Sequence, residues 1–573
     1  MENNKSFSAY KLKCYINLSA AILFSILSIT FHADITILGF IIAVAYTAVT
    51  VFFSLKMILK TDGTHIMKVI KFTEYLPYVL FICFILRRAG VSGTSFAYDL
   101  ITVILWFIIF VLSYLTTRCL YPKKNEKIIQ GWSVAPKEIK YKGIGKVIFE
   151  LVDWIDAFCW SIFTVLIFQI FVMQLYEIPS ESMVPTFLVK DRVFVSKIDC
   201  GPKFPLTDVG LPDFRKYKRG DTIVLRNPHY GFDRKSEVKT VSSQLIYMLS
   251  LMTINLNKDE NGEMKADPLV KRITGLPGEQ LVMQDGTLYV RTKDSDEFVP
   301  SAIDAKYATW NLNAVHPKLK NKIQHYPLSS SDYQKMLDFE EKRRNFDLNV
   351  AEYNANEIVR QFNQLAYKEN LNGSFTAPDL LEFNLFRNIQ KITVNMMSQN
   401  GGADWFEKFM TSWIPSKNNA RDYYSESNYK LNVMTKITFG KIVVRYAQFL
   451  SSGISATTWT NDAELQEYYS MAEDLNWYIK NLLDERNMPL FPANDSNGNP
   501  QYIPKDCYFM MGDNRFNSLD LRHSYDYKPS ALASEDPVSV KYDSIMEPQY
   551  INKKYIIGKP AFRFWPAGRM GKV

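Results

Sequence analysis

The chain has 573 residues, 47% of them apolar and 22% charged, with a formal net charge of +8. This excludes a single small domain and leaves room for a membrane region plus one or two folded units. The basic excess lies largely in short loops between N-terminal apolar runs, a pattern that sets membrane orientation and argues against a nucleic-acid partner.

Residues 15–33 and 35–55 are apolar runs separated by Asp34, each long enough to cross a hydrocarbon core of ~30 Å. Phe72–Leu86 is shorter and carries Glu74 and Pro77, which makes it the weakest span; Leu100–Leu115 is strongly apolar. Ala157–Tyr176 follows Glu150, Asp153 and Asp156, so its helix is expected to begin at the interface. With five spans, Lys5, Lys11, Lys13, Lys56, Lys60, Lys68, Lys71, Arg118, Lys123, Lys124, Lys127, Lys137, Lys140, Lys142 and Lys146 share the cytoplasmic face, and only Arg87 and Arg88 oppose them. The expectation is a multi-pass protein of the cytoplasmic (inner) membrane, extracytoplasmic from about Glu177 onward unless the third span fails to cross. The first run carries no small-residue cleavage site and is expected to remain as an anchor.

The expected organisation is a membrane region over 1–148, a final transmembrane helix over 149–176, a first catalytic part over 177–293, an inserted domain over 294–505 and a second catalytic part over 506–573. Arg192–Ile198 and Thr222–Leu225 read as strands, and Gln280–Met283 with Thr287–Arg291 as a hairpin about Asp285-Gly286. Ser242–Asn257 is either an interfacial helix or an element packed into the soluble core. The inserted region shows helical patterns at Asp332–Ala366 and Asp462–Glu485 and no catalytic spacing. The six cysteines form no zinc spacing, and only Cys200 and Cys507, in the polar part, are candidates to pair.

Ile178-Pro-Ser-Glu-Ser-Met-Val-Pro-Thr186 directly follows the fifth apolar run and puts Ser182 at a membrane surface. A serine is a poor nucleophile until a base takes its proton, and that base is a histidine or a lysine held neutral. His523 is one candidate. Lys271 is the better one, because its apolar neighbours in Asp267-Pro-Leu-Val270 can bury the amine; burial must offset roughly 4 kcal/mol of preference for the charged form. Ser180 can donate to an oxyanion beside the Ser182 backbone N–H. Ser518 can hydrogen-bond the lysine amine, and Asp513, Arg515, Asp520 and Arg522 can tie their segment down by ion pairs.

Together with Arg219-Gly-Asp-Thr-Ile-Val224, Leu269-Val-Lys-Arg-Ile-Thr-Gly-Leu-Pro-Gly-Glu279, Met511-Gly-Asp-Asn-Arg-Phe-Asn-Ser-Leu-Asp-Leu-Arg522 and the ending Ile557-Gly-Lys-Pro-Ala-Phe-Arg-Phe-Trp-Pro566, the serine segment resembles the ordered boxes of bacterial type I signal peptidases. The resemblance covers roughly 150–291 and 506–573. It implies a mainly antiparallel β peptidase domain (signal-peptidase/LexA-like) on a multi-span α-helical anchor, with the insertion as a mixed or helical addition. It implies Ser182 as nucleophile, Lys271 as general base and Ser180 as oxyanion donor. Ser518 would position Lys271, Asp520 would pair with Arg522 and Asp513 with Arg272, while Tyr176, Ile178, Pro179 and Val270 would shape shallow substrate pockets. The partners implied are preproteins with signal peptides, the lipid bilayer and the secretion machinery; no metal or other cofactor is expected. Glu181 stands where the family commonly has glycine, Phe516 where it commonly has aspartate, and His523-Ser-Tyr525 where Trp-Gly often follows. The rival readings are a catalytically silent membrane scaffold and a self-cleaving Ser/Lys regulator.

Overall fold

The computed structural model describes residues 2–91, 93–121, 142–213, 215–230, 233–250, 253–258, 262, 265–420, 422–454 and 459–573. Lys123, Lys124, Lys127, Lys137 and Lys140 of the charge tally, and Leu251 and Met252 of the 242–257 segment, lie outside them. The chain forms two compact units: Met1–Tyr176, Phe194–Lys216 and Tyr230–Pro268 make the first, and Glu177–Val193, Tyr217–His229 and Leu269–Val573 the second.

The first unit holds α1 (Glu2–Leu27), α2 (Ile35–Lys60), α3 (Ile66–Ala89), α4 (Phe96–Leu120) and α5 (Ile144–Phe171). All five are long and apolar enough to cross a membrane. The first run was expected at 15–33, but α1 ends at Leu27, and Asp34 caps α2 by accepting from the Thr36 N–H. Phe72–Leu86 extends at both ends into a full-length helix. Its polar residues are paired: Lys71 contacts Glu74 at 3.1 Å and also Asp156, and the Pro77 carbonyl accepts from Trp106 Nε1 at 2.7 Å. The fifth span was expected to reach Tyr176, yet helix gives way after Phe171 to strand β1 (Met173–Glu177).

Helix α6 (Arg234–Leu249) covers the start of the 242–257 segment and runs against α3 and α5. It belongs to the unit that holds the five apolar helices. Phe204 enters the same unit's aromatic cluster, 4.9 Å from Phe84 and 5.0 Å from Trp106 between ring centroids.

After β2 (Arg192–Ser196), the second unit is built on β3 (Thr222–Leu225), β4 (Leu269–Gly275), β5 (Glu279–Gln284), β6 (Thr287–Thr292), β7 (Val299–Pro300), β8 (Met488–Phe491), β9 (Cys507–Met511), β10 (His523–Ala531), β11 (Lys541–Met546), β12 (Ile551–Asn552), β13 (Ile556–Trp565) and β14 (Gly571–Lys572). Its main sheet runs β13-β3-β4-β9-β12 with antiparallel pairings, and a second runs β7-β6-β5-β8. Asp285 and Gly286 both take positive φ, 50° and 75°, as the tight β5–β6 hairpin requires. Strand β8 falls within the stretch read as an insertion, yet it pairs with β5.

Between β7 and β8 the chain is mainly helical. Asp332–Ala366 resolves into α7 (Ser330–Arg344) and α8 (Leu348–Leu365), broken where the Asp347 carboxylate caps α8. The second expected stretch becomes α10 (Ala463–Asn481), and before it runs the long α9 (Tyr423–Ser451). These helices share one apolar core with Leu532, Val540 and Tyr542 around the β10–β11 hairpin. The architecture is therefore an apolar helical region plus an antiparallel β unit with a large helical addition.

Candidate active site

Strand β4 lies between β3 and β9, with Lys271 opposite Ile223 and Arg272 opposite Thr222 and Met511. Side chains alternate along a strand, so these adjacent cations project to opposite faces. Lys271 is 2% exposed, and its ammonium donates to Ser518 Oγ at 3.0 Å. Burial pushes its pKa down to about 8, against the opposing pull of Asp520.

Asp520 does not neutralise the lysine directly, because its oxygens are engaged elsewhere. They accept from Arg522 Nε at 2.9 Å, from Arg522 Nη2 at 3.2 Å and from the Gly512 N–H at 2.9 Å. Burial opposes its ionisation, but the Arg522 guanidinium holds the Asp520 carboxyl well below the usual carboxylate range. On the other face, Arg272 grips Asp513 with two bonds of 2.7 Å and stacks 3.7 Å from the Tyr307 ring centroid. Arg515 pairs with buried Asp304 at 2.6 Å. Three buried ion pairs thus hold the 511–522 segment.

The Ser182 segment is threaded into this frame. Ile178 and Lys190–Asp191 exchange backbone bonds of 2.9 and 2.8 Å, and the Ser182 carbonyl accepts from the Asn514 N–H at 3.1 Å. Asn514 Nδ2 donates to the Glu181 carbonyl at 3.1 Å. Gly512 passes so close that a Cβ there would lie 2.5 Å from the Ser182 carbonyl oxygen and against Ser518 Oγ. That single point locates Ser182 beside the Lys271–Ser518 pair. Ser182 is half-buried, and exposed Ser180 donates its hydroxyl to Ser182 Oγ at 3.3 Å. Lys271 and Ser182 make no direct hydrogen bond among the described residues; catalytic contacts often close only when substrate is bound.

Of the expected pocket residues, Ile178 is buried, Pro179 exposed and Val270 half-buried in the second unit, while Tyr176 lies in the first. His523 is 2% exposed at the start of β10, with Nε2 3.2 Å from the Asp484 carbonyl, and burial pushes its pKa down to about 4. It is neither the loop residue expected nor bonded to Ser182. Cys200 and Cys507 form no disulfide, and Phe516 packs on Trp310 with centroids 5.1 Å apart.

Sequence reasoning missed the partners of Glu181. Its carboxylate is buried and accepts from the Gln324 N–H at 2.5 Å and from the His325 N–H and Nδ1, both at 3.1 Å. The residue departing from the family glycine therefore clasps a segment read as inserted onto the serine loop. No local signal marks a contact across that separation. For Gly512 and Asn514 a signal existed, since both stand within the quoted 511–522 segment.

Among the described residues no cluster of His, Cys, Asp and Glu is arranged to hold a metal ion. What remains is a buried amine of lowered basicity, two hydroxyls and a backbone turn, a set suited to activating an oxygen nucleophile.

The family described as "Signal peptidase, peptidase S26" matches residues 151–349 and 456–565. The chain is 30% identical over 139 residues to signal peptidase I of Pseudomonas aeruginosa, covering 24% of this chain and 46% of that protein. Similarity to signal peptidase I P of Bacillus subtilis subsp. natto is 25% over 195 residues, or 33% of this chain and 78% of that one. Signal peptidase I of Haemophilus influenzae is 23% identical over 209 residues, covering 35% and 57%. The chain thus spans about half the length of several of its curated relatives. The family match takes in Asp304, Gln324 and His325 as well as the quoted segments, and covers more than half of the chain. On that match, the chain belongs to the signal peptidase family, peptidase S26.

Proposed function

We propose that this protein is a membrane-bound serine endopeptidase that removes N-terminal signal peptides from exported preproteins. The observation that carries this is Lys271, a buried amine with its pKa lowered to about 8, hydrogen-bonded to Ser518, whose hydroxyl meets the Ser182 backbone carbonyl across Gly512.

In the proposed reaction, neutral Lys271 takes the Ser182 hydroxyl proton as Ser182 Oγ bonds to the scissile carbonyl carbon. Ser180 Oγ and the Ser182 N–H would donate to the resulting oxyanion. The C–N bond then breaks, the leaving amine takes the proton from Lys271, and an acyl-enzyme ester remains. Lys271 next deprotonates water as its oxygen adds to the ester carbonyl; the C–O bond to Ser182 then breaks and Lys271 returns the proton to Ser182 Oγ. Ser518 acts as a positioning residue through its bond to the amine. Asp513 with Arg272 and Asp520 with Arg522 would hold the loop that carries it.

Tyr176, Ile178, Pro179 and Val270 would line shallow pockets that favour small side chains before the cut, an A-x-A-like pattern. Five apolar helices and the family support a membrane protein. The positive-inside tally favours the inner membrane, with the peptidase part outside the cytoplasm and the secretion machinery as a neighbour.

Purified full-length protein should cleave a preprotein to its mature N-terminus, and Ser182→Ala and Lys271→Ala should each abolish turnover with folding intact. Full activity in either variant would overturn the mechanism. No turnover by the wild type would favour the silent-scaffold reading instead.

A further inference from the structure

A cavity of about 140 Å³ opens in the first unit where α3 and α5 end, with Ile85 and Ile170 on its apolar wall and Leu245 of α6 beside them. Its polar wall is cationic: Lys197, Lys203, Gln174 and Gln244 line it. Gln174 is 5% exposed, and its side-chain amide has no hydrogen-bond partner among the described residues. Neither lysine ammonium is paired with a carboxylate among those residues. Burial pushes the Lys197 pKa down to about 8, with no carboxylate acting against it.

Lys197, Lys203 and Gln244 are half-buried and Gln174 is buried, and two ammonium groups with no carboxylate partner beside two amides around one small cavity suit an anionic acceptor. The cavity can hold a group of several water volumes at ~30 Å³ each. The setting narrows the ligand further. Helix α5, whose end forms part of the wall, has no fully buried residue along its apolar window and packs one side on α3, which leaves its other side open to acyl chains.

We propose that this cavity binds the phosphate head of an anionic phospholipid, with Lys197 and Lys203 on the phosphate, Gln174 and Gln244 as amide donors and an acyl chain along α5. The site rests on the membrane reading and is independent of the catalytic one. A protein that holds the lipid but cleaves no preprotein would leave it standing.

The test uses delipidated full-length protein in neutral detergent, with native mass spectrometry after addition of phosphatidylglycerol or phosphatidylcholine. One phosphatidylglycerol should be retained in preference to phosphatidylcholine. Lys197→Gln/Lys203→Gln should lower that retention about tenfold, equivalent to about 1.4 kcal/mol. Lys197→Arg/Lys203→Arg should restore it, which separates loss of charge from loss of fold. Equal retention of both lipids, or wild-type retention by the glutamine variant, would overturn the proposal. Complete displacement by millimolar inorganic phosphate would assign the cavity to a soluble phosphate and overturn the lipid source.

Discussion

Gly512 shows how little room the proposed site leaves. Alanine there would press on Ser518 Oγ and on the Ser182 carbonyl oxygen, both fixed by other bonds. Gly512→Ala is expected to lower kcat for preprotein cleavage about 100-fold by displacing the Ser518–Lys271 pair, at a stability cost of about 1–3 kcal/mol. Steady-state kinetics beside chemical denaturation separate the two effects. Glu181→Ala removes the acceptor for the Gln324 and His325 N–H groups, and hydrogen bonds to a charged group are worth about 2 kcal/mol. The expected outcome is a loss of that order, read by denaturation, with faster proteolysis of the 321–326 segment. The proposed nucleophile and base and the residues of the supporting pairs were visible as residue types in ordered segments. The Glu181 clasp was not, because it joins residues more than 140 positions apart.

At the scale of elements, β3 and the β5–β6 hairpin were legible because their signals are local: a Val/Ile-rich run and an Asp-Gly turn. Helix α9 was not. Most of its residues are buried, so no polar stripe sets a helical period for the eye to find. Strand β8 was not legible because it pairs with β5 across more than two hundred intervening residues. What anchors α9 is a fully buried pair, Lys436 to Asp536 at 2.5 Å, whose carboxylate also accepts from Ser412 Oγ and Asn432 Nδ2. Removing one partner strands a buried charge. Lys436→Met is therefore expected to cost about 3–5 kcal/mol in thermal or denaturant unfolding, and adding Asp536→Leu should recover much of it.

At the scale of the whole molecule, the five spans were legible as apolar runs, but their ends were not, since capping and the turn into β1 decide where helix stops. The two basic residues against the charge tally, Arg87 and Arg88, end α3, and Arg88 pairs with Asp99 at 3.2 Å. On the proposed topology of five crossings, the second unit would lie outside the cytoplasm. A cysteine at exposed Ser496 should then be labelled by a membrane-impermeant maleimide in cells whose outer layers admit the reagent. Protection until the inner membrane is opened would invert the topology.

The central claim is that neutral Lys271 activates Ser182, and the pH dependence of preprotein cleavage by the full-length enzyme tests it most directly. Because burial lowers the folded-state pKa to about 8, the active neutral amine is scarce below that pH and dominant above it. kcat/KM should rise tenfold per pH unit on the acid side, reach half its maximum near pH 8 and level off above. A profile flat from pH 6 to 10, or one half-maximal near the histidine range of about 6.5, would contradict a lysine base.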